Sequence, residues 1–385
     1  MKQTYLLIVL LMSAFGIAKA QPVMRKPQID PQKSEFALKL LGTALSQEDL
    51  SKNLVLSPYS AGVALSLLLD GADGQTQRAL TEALQYATYA GTNLYTDSLN
   101  TVTTANSIWL RNGVALKQNY LDYVRGDDYK AQVETRDFSL RSTVGEINGW
   151  VSRQTRGLIP TIVDELDPSL AAILLNALYF KAPWAEEFDE KSTRPDVFHA
   201  ASGDKEVPFM HKTSREYKYL AAQGWQLASL PYKNGRYAML VALPPKDLDV
   251  KNVAGFLNAD LLNFILDNLS YNRVALSLPK FKVETTLTMN QLLSAMGAGQ
   301  IFTNGADFSR MSTTPLAVDK ILQKCFVEVS EEGTEAAAVT GAFMRLTSVA
   351  REDPPIVMNV DRPFFFAIYD VQTRLVLFEG RIATI

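Results

Sequence analysis

The chain has 385 residues, 47% of them hydrophobic, and a formal charge of −3. So mild an acidity excludes a nucleic-acid or acidic-polymer binder by composition. The single cysteine, Cys325, excludes an intrachain disulfide, and the two histidines, His199 and His211, have nothing at ligand spacing that would make a zinc site.

Residues 1–20 have a positive end at Lys2, an apolar stretch from Tyr5 to Ile17 and a small-x-small cleavage site, Ala18-Lys19-Ala20, before Gln21. They read as a signal peptide. The apolar stretch is too short for a membrane span, and no later run reaches that length. A retained N-terminal anchor is the alternative. Export places the mature chain, 21–385, in the periplasm or outside the cell. Losing Lys2 and Lys19 takes the charge from −3 to −5 over the remaining 365 residues. No linker, repeat or low-complexity run divides them, so they read as one domain whose core supplies its stability.

Ser34 precedes Phe36, Ala37, Leu40 and Leu41, spaced for an amphipathic helix. Asn53 to Leu56 is a short strand. Pro58 suits the first turn of the next helix, whose run from Ala61 to Leu69 is buried on most sides. Gly71 and Gly74 end it, and Thr76 starts another. No G-x-S-x-G surrounds Ser57 or Ser60, so a serine-hydrolase reading has no nucleophile motif. Residues 87–105 are polar, and no Lys or Arg lies between Leu84 and Leu110. A strand resumes at Ser107.

Thr143 and Glu146 are spaced as a capping box for a helix carrying Val144, Ile147, Trp150 and Val151, which Gly157 and Pro160 stop. From Ala171 to Phe180 the chain is apolar except at Asn176, the pattern of a central strand covered on both faces. A lone amide there needs hydrogen-bond partners. Tyr237 to Leu243 is a second buried strand. Val274, Leu276 and Leu278 alternate with Ala275 and Ser277, and Phe281 and Val283 alternate after the LPKF turn, as in a half-buried strand. Thr288 and Gln291 are spaced as another capping box. Leu322 to Val329 is a strand that buries Cys325. Helices early and strands late give a mixed α+β architecture.

The stretch from Glu331 to Pro355 has a period of two. Thr334, Ala336, Ala338, Thr340, Ala342, Met344 and Leu346 form an uncharged register, while Glu335 and Arg345 lie in the other. One uncharged face is what a strand needs to lie on a core. Taken alone, the pattern also fits an edge strand or loop, and the alanines would suit a helix. The flanking charges, two glutamates before and Arg351-Glu352-Asp353 after, look solvated.

EEGTEAAAVT resembles the hinge of the inhibitory serpins, matching at Glu331, Glu332, Gly333, Thr334, Glu335, Ala336, Ala337 and Ala338. Further matches run from about residue 34 to 383, among them Ser57, Ser60, Gly71, Asn148, Trp150, Asn176, Trp184, Thr193, Phe308 and Arg381. The resemblance, to a secreted bacterial member, implies an α+β fold of three β-sheets with about nine helices and an exposed reactive-centre loop at about 333–355. It implies a serine-peptidase inhibitor acting as a suicide substrate, through loop cleavage, acyl-enzyme trapping and loop insertion, with cysteine peptidases as further targets. No enzyme activity, cofactor or metal is implied, and the chain is expected to act as a monomer.

Family spacing from Gly333 places the reactive bond at Thr347-Ser348, with Arg345, Met344 and Phe343 as alternative cleavage positions. Ser57, Ser60, Asn176, Gln323 and Trp184 correspond to the sheet-opening cluster. Many members carry a histidine where this chain has Gln323, which can donate and accept but cannot titrate. In some serpins the region of 87–105 is a basic helix that binds sulfated polysaccharide, and its lack of Lys and Arg here argues against such a cofactor. The alternative function is a non-inhibitory binding or carrier protein of the same fold, whose hinge would carry bulky or charged residues. In the uncut chain Thr334 is expected at or near the surface.

Overall fold

The computed structural model describes residues 29–200, 202–246, 248, 253–334 and 353–385. The first part of the chain builds α1 (Pro31–Gln47), β1 (Leu54–Leu56), α2 (Pro58–Gly71), α3 (Gly74–Ala83), β2 (Thr101–Arg111), α4 (Gln118–Arg125), β3 (Gln132–Arg136) and α5 (Arg141–Gln154). Then come β4 (Ala172–Pro183), β5 (Arg194–Ala200), β6 (Gly203–Ser214), β7 (Lys218–Ala222), β8 (Trp225–Pro231), β9 (Tyr237–Leu243) and α6 (Ala259–Asn268). The chain ends with β10 (Ser270–Tyr271), β11 (Val274–Pro279), β12 (Phe281–Thr288), α7 (Asn290–Leu293), β13 (Lys320–Val329), β14 (Gly333–Thr334), β15 (Ile356–Asn359), β16 (Phe364–Asp370) and β17 (Val376–Ile382).

The strands form three sheets of six, seven and four strands, as the resemblance implied. Seven α-helices lie among the described residues, against the nine or so expected. The polar stretch after Leu84 forms no helix up to Asn100. No helix among the described residues is long and apolar enough to cross a membrane.

Local chemistry sets the elements that matter most. Asp30 caps α1, accepting from the backbone N–H of Gln32 and Lys33, so the helix starts before Ser34. Pro58 opens α2, and the Ser57 hydroxyl accepts from the Ser60 N–H at 3.2 Å. Neither expected capping box forms. Thr143 lies inside α5 and donates to the Asp137 carbonyl at 2.6 Å, while Glu146 pairs with Arg136. Thr288 belongs to β12, and Met289 precedes α7 with no side-chain cap. At α5 the side chains that the local pattern assigned to the helix end are taken by Asp137 and Arg136, and at α7 the strand β12 extends through Thr288.

The six-stranded sheet runs β12-β13-β14-β4-β2-β3. Its strand β4 is buried almost throughout, as its unbroken apolar run requires. Leu174, Leu178 and Phe180 face the main core, whereas Ile173, Leu175 and Ala177 join Trp109 and Trp150 in a second cluster that includes α5. Cys325 on β13 is unpaired and buried, and burial pushes its thiol well above the usual range.

Candidate functional site

Strands β4 and β13 pair in parallel only part of the way. The ladder runs from Ile173 opposite Lys320 to Leu178 opposite Cys325. Beyond it the strands part. Gly333 and Thr334 turn back into the gap, pairing antiparallel with Pro183 and Ala182 of β4, and Thr334 also pairs with Val329 of β13. A tight turn brings them there, with the Ser330 N–H donating to the Gly333 carbonyl at 3.0 Å. Gly333 has φ +154°, and a Cβ on it would lie 2.3 Å from the Ala182 carbonyl oxygen and 2.6 Å from the Pro183 Cα. Only glycine fits such an approach.

Thr334 is therefore not at the surface, as expected from sequence, but 2% exposed. Its hydroxyl lies 2.6 Å from that of Tyr232, inside the core. Its uncharged register does face inward at this first position.

The mouth of the gap is pinned by Glu331, which is 5% exposed rather than solvated. One carboxylate oxygen meets the Lys280 ammonium at 2.7 Å, and the other accepts from the Thr193 hydroxyl at 2.8 Å. Burial works against the charge of Glu331, but the bonds from Lys280 and Thr193 outweigh it and hold the carboxyl below its usual range. Glu332 is partly buried. Burial, and then the charges of Glu187 and Glu190, push its carboxyl up. The Trp184 indole donates to the Ser330 carbonyl at 2.9 Å and stacks on Tyr232 with ring centroids 4.5 Å apart. Backbone bonds from Trp184 to Glu332 and from Phe188 to Glu331 complete the frame.

A second polar group sits within the closed ladder. The Gln323 side-chain oxygen accepts from the Ser57 N–H at 3.0 Å, while its amide donates to the Ser57 carbonyl at 2.9 Å. Both ends of one amide thus clamp β13 to the start of α2. Asn176 stands opposite Gln323 in the parallel ladder, and its amide nitrogen donates to Asn106 of β2. The Asn176 oxygen and the Ser60 hydroxyl are buried with no partner among the described residues. Ser57, Ser60, Asn176 and Gln323 thus occupy one region. Trp184 does not join them. It lies eight residues beyond Asn176, roughly 26 Å along an extended chain, at the mouth.

Glu335, Ala336, Ala337 and Ala338 of the hinge, and Phe343, Met344, Arg345, Thr347 and Ser348 around the candidate bonds, lie outside the described residues. Sequence reading missed the role of Asn106, Thr193, Tyr232 and Lys280 as partners. Thr193 was noted only as a match, and nothing local marks the others, because each acts across a long sequence separation.

Residues 31–385 match the family described as Serpin (serine protease inhibitor). The chain belongs to the serpin family. Serpins are in general inhibitors of proteases rather than catalysts. This serpin is 34% identical to an uncharacterised serpin-like protein of Thermococcus kodakarensis, over 86% of this chain and 80% of that one. Its fold matches the native state of tengpin, a thermophilic serpin, with a TM-score of 0.83 and 29% identity over 94% and 96% of the two chains. It also matches human thyroxine-binding globulin complexed with thyroxine, with a TM-score of 0.80 and 25% identity over 92% and 97%.

Proposed function

We propose that this serpin is a secreted suicide-substrate inhibitor of serine peptidases, and that residues after Thr334 enter the gap between β4 and β13 once the loop is cut. The observation that carries the reading is the register of β14. Gly333 pairs with Pro183 and Thr334 with Ala182, so each further residue moves one step down β4. Continued in that register, Ala336 falls opposite Phe180, Ala338 opposite Leu178 and Ala342 opposite Leu174, all facing the main core. Small side chains suit those sites. Thr340, the one polar residue among them, falls opposite Asn176, whose oxygen lacks a partner. Met344 reaches Ala172, the first residue of β4. The polar and apolar steps of loop and strand agree all the way down.

The protease supplies the chemistry. Its nucleophile attacks the reactive bond, Thr347-Ser348 by family spacing, with Arg345, Met344 and Phe343 as further positions, and forms an acyl-enzyme. The fourteen residues from Thr334 to Thr347 reach roughly 46 Å when extended at about 3.3 Å each. Insertion carries the tethered enzyme that far, and a misplacement of ~1 Å already costs a catalytic site a large factor in rate. The uncut state is then a kinetic trap. Cysteine peptidases that form the same kind of acyl intermediate are further candidates.

Incubation with a panel of serine and cysteine peptidases tests the reading on a denaturing gel. A covalent product near the summed mass is expected from at least one serine peptidase. Clean cleavage without such a product across the panel would refute inhibition. The likeness to thyroxine-binding globulin keeps a carrier role as the second reading. The two separate on heating, since loop cleavage raises the melting temperature of an inserting inhibitor markedly and leaves that of a carrier where it was. Exported protein beginning at Gln21 would support secretion, and one beginning at Met1 would refute it.

A further inference from the structure

An open pocket of about 580 Å³ lies on the four-stranded sheet, its Ser192 and Arg194 flanking the Thr193 that holds Glu331 at the mouth of the split. Lys191, Arg194, His211 and Lys212 line it, with Ser277 and Asn359, and no Asp or Glu does. Lys212 is already engaged, donating to the Glu187 carbonyl at 2.9 Å and lying 3.8 Å from the Glu186 carboxylate. Lys191 and Arg194 are exposed and make no ion pair among the described residues.

The nearest counter-charge on the strand is Asp196, two residues after Arg194, and one of its oxygens accepts from the Val197 N–H at 2.8 Å. His211 has its Nδ1 2.9 Å from the Ser277 hydroxyl, and its Nε2 is buried without a partner among the described residues. Burial first, and Arg194 second, hold this imidazole below its usual titration range. The charge of Asp196 works the other way, but less strongly than these two. Cations gathered in a concavity with no anion among them repel one another, and an entering anion relieves that repulsion.

We propose that this pocket binds a compact tetrahedral oxyanion, phosphate or sulfate, free or as a monoester. Lys191 and Arg194 supply the charge, with the guanidinium fork matched to two oxygens of such a group. Asn359 supplies a neutral donor from the edge strand β15. The site is read as taking a single group, because its cations line one pocket.

The test is the thermal midpoint at fixed scan rate, with ionic strength held constant by sodium chloride while inorganic phosphate, inorganic sulfate or O-phosphoserine is titrated in. A ligand that binds only the folded state raises the midpoint along a saturating curve. The wild type should show that curve, and Lys191→Ala/Arg194→Ala should lose it while keeping the wild-type midpoint in chloride alone, since both side chains are exposed. Saturation by the inorganic ions assigns the free anion, and saturation by O-phosphoserine alone assigns the ester. A linear rise of equal slope in wild type and variant would reflect solute exclusion from the surface and would overturn the proposal. A flat response to all three compounds would overturn it as well.

Discussion

Thr334 and Tyr232 meet hydroxyl to hydroxyl at 2.6 Å in the core, at the point where β14 has entered the sheet. The contact ties the loop to the body before any cut is made. Thr334→Val keeps the shape and removes the partner, leaving the buried Tyr232 hydroxyl unpaired at a cost of about 1–3 kcal/mol. A urea midpoint lowered accordingly is expected. An unchanged midpoint would mean that Tyr232 finds another partner.

Thr334→Arg goes further. The site is 2% exposed, so the uncut protein has no room for a guanidinium there, and β14 should leave the gap. With Thr334 at or near the surface, as expected from sequence, the uncut protein would have tolerated the change. The number of inhibitor molecules consumed per protease inactivated should rise steeply. Equal, small effects from Thr334→Arg and Glu335→Arg would contradict the inward register.

Gly333→Ala tests the wedge by backbone alone. With φ +154° and a Cβ 2.3 Å from the Ala182 oxygen, any side chain forces the segment out. Trp184 reports the event, because its indole N–H is bound to the Ser330 carbonyl three residues earlier. A shifted and more quenchable Trp184 emission is expected, against an unaltered spectrum if the backbone tolerates the methyl group. The other three tryptophans are changed to Phe in both proteins beforehand.

Gln323→Ala should release the Ser57 N–H and carbonyl together, each at about 1–3 kcal/mol if left dry. The ladder between β4 and β13 loses its clamp to α2. Faster conversion to an inactive form on mild heating is expected, followed by the loss of protease-trapping activity with time. Conversion at the wild-type rate would separate this amide from sheet opening.

Glu379 gives the pH dependence. It is 1% exposed on β17, and neither carboxylate oxygen has a partner among the described residues. Burial pushes its carboxyl well above the usual 4.5. The folded state therefore keeps a proton that the unfolded chain releases as pH rises past about 4.5, and stability falls from there toward the folded value, by up to about 1.4 kcal/mol per pH unit. Glu379→Gln should flatten that slope and stabilise the protein at neutral pH. Parallel wild-type and mutant curves of urea midpoint against pH would show that Glu379 is ionised in the fold.

Much of this architecture could be read from local pattern. The apolar run around Asn176 had to be a covered strand and Pro58 had to open a helix, whereas the half-buried strand expected from Val274 to Val283 is two strands, β11 and β12, in two different sheets. Burial of Thr334 and Glu331 could not be read that way, since it depends on Tyr232, Lys280 and Thr193, which lie 51 to 138 residues away by number. One of the two capping boxes fails for a nearer reason: Thr143 and Glu146 have the right spacing but bond to Asp137 and Arg136 instead. Gln323, where the resemblance implied a histidine in many members, closes both contacts with Ser57, because an amide can present a donor and an acceptor at once.

The parting of β4 and β13 creates an edge in the interior of a sheet. Sheet edges are normally blunted or covered because they accept strands from any source. From Tyr179 to Lys181 and from Phe326 to Glu328 no described strand stands between the two. The chain's own loop has the advantage of tethering, which acts as a high local concentration. A neighbouring molecule's loop carries the same alternating residues and meets the same edge, so crowding shifts the contest toward linkage between molecules. Under the proposed insertion, dilution as much as sequence would then favour the single-chain form.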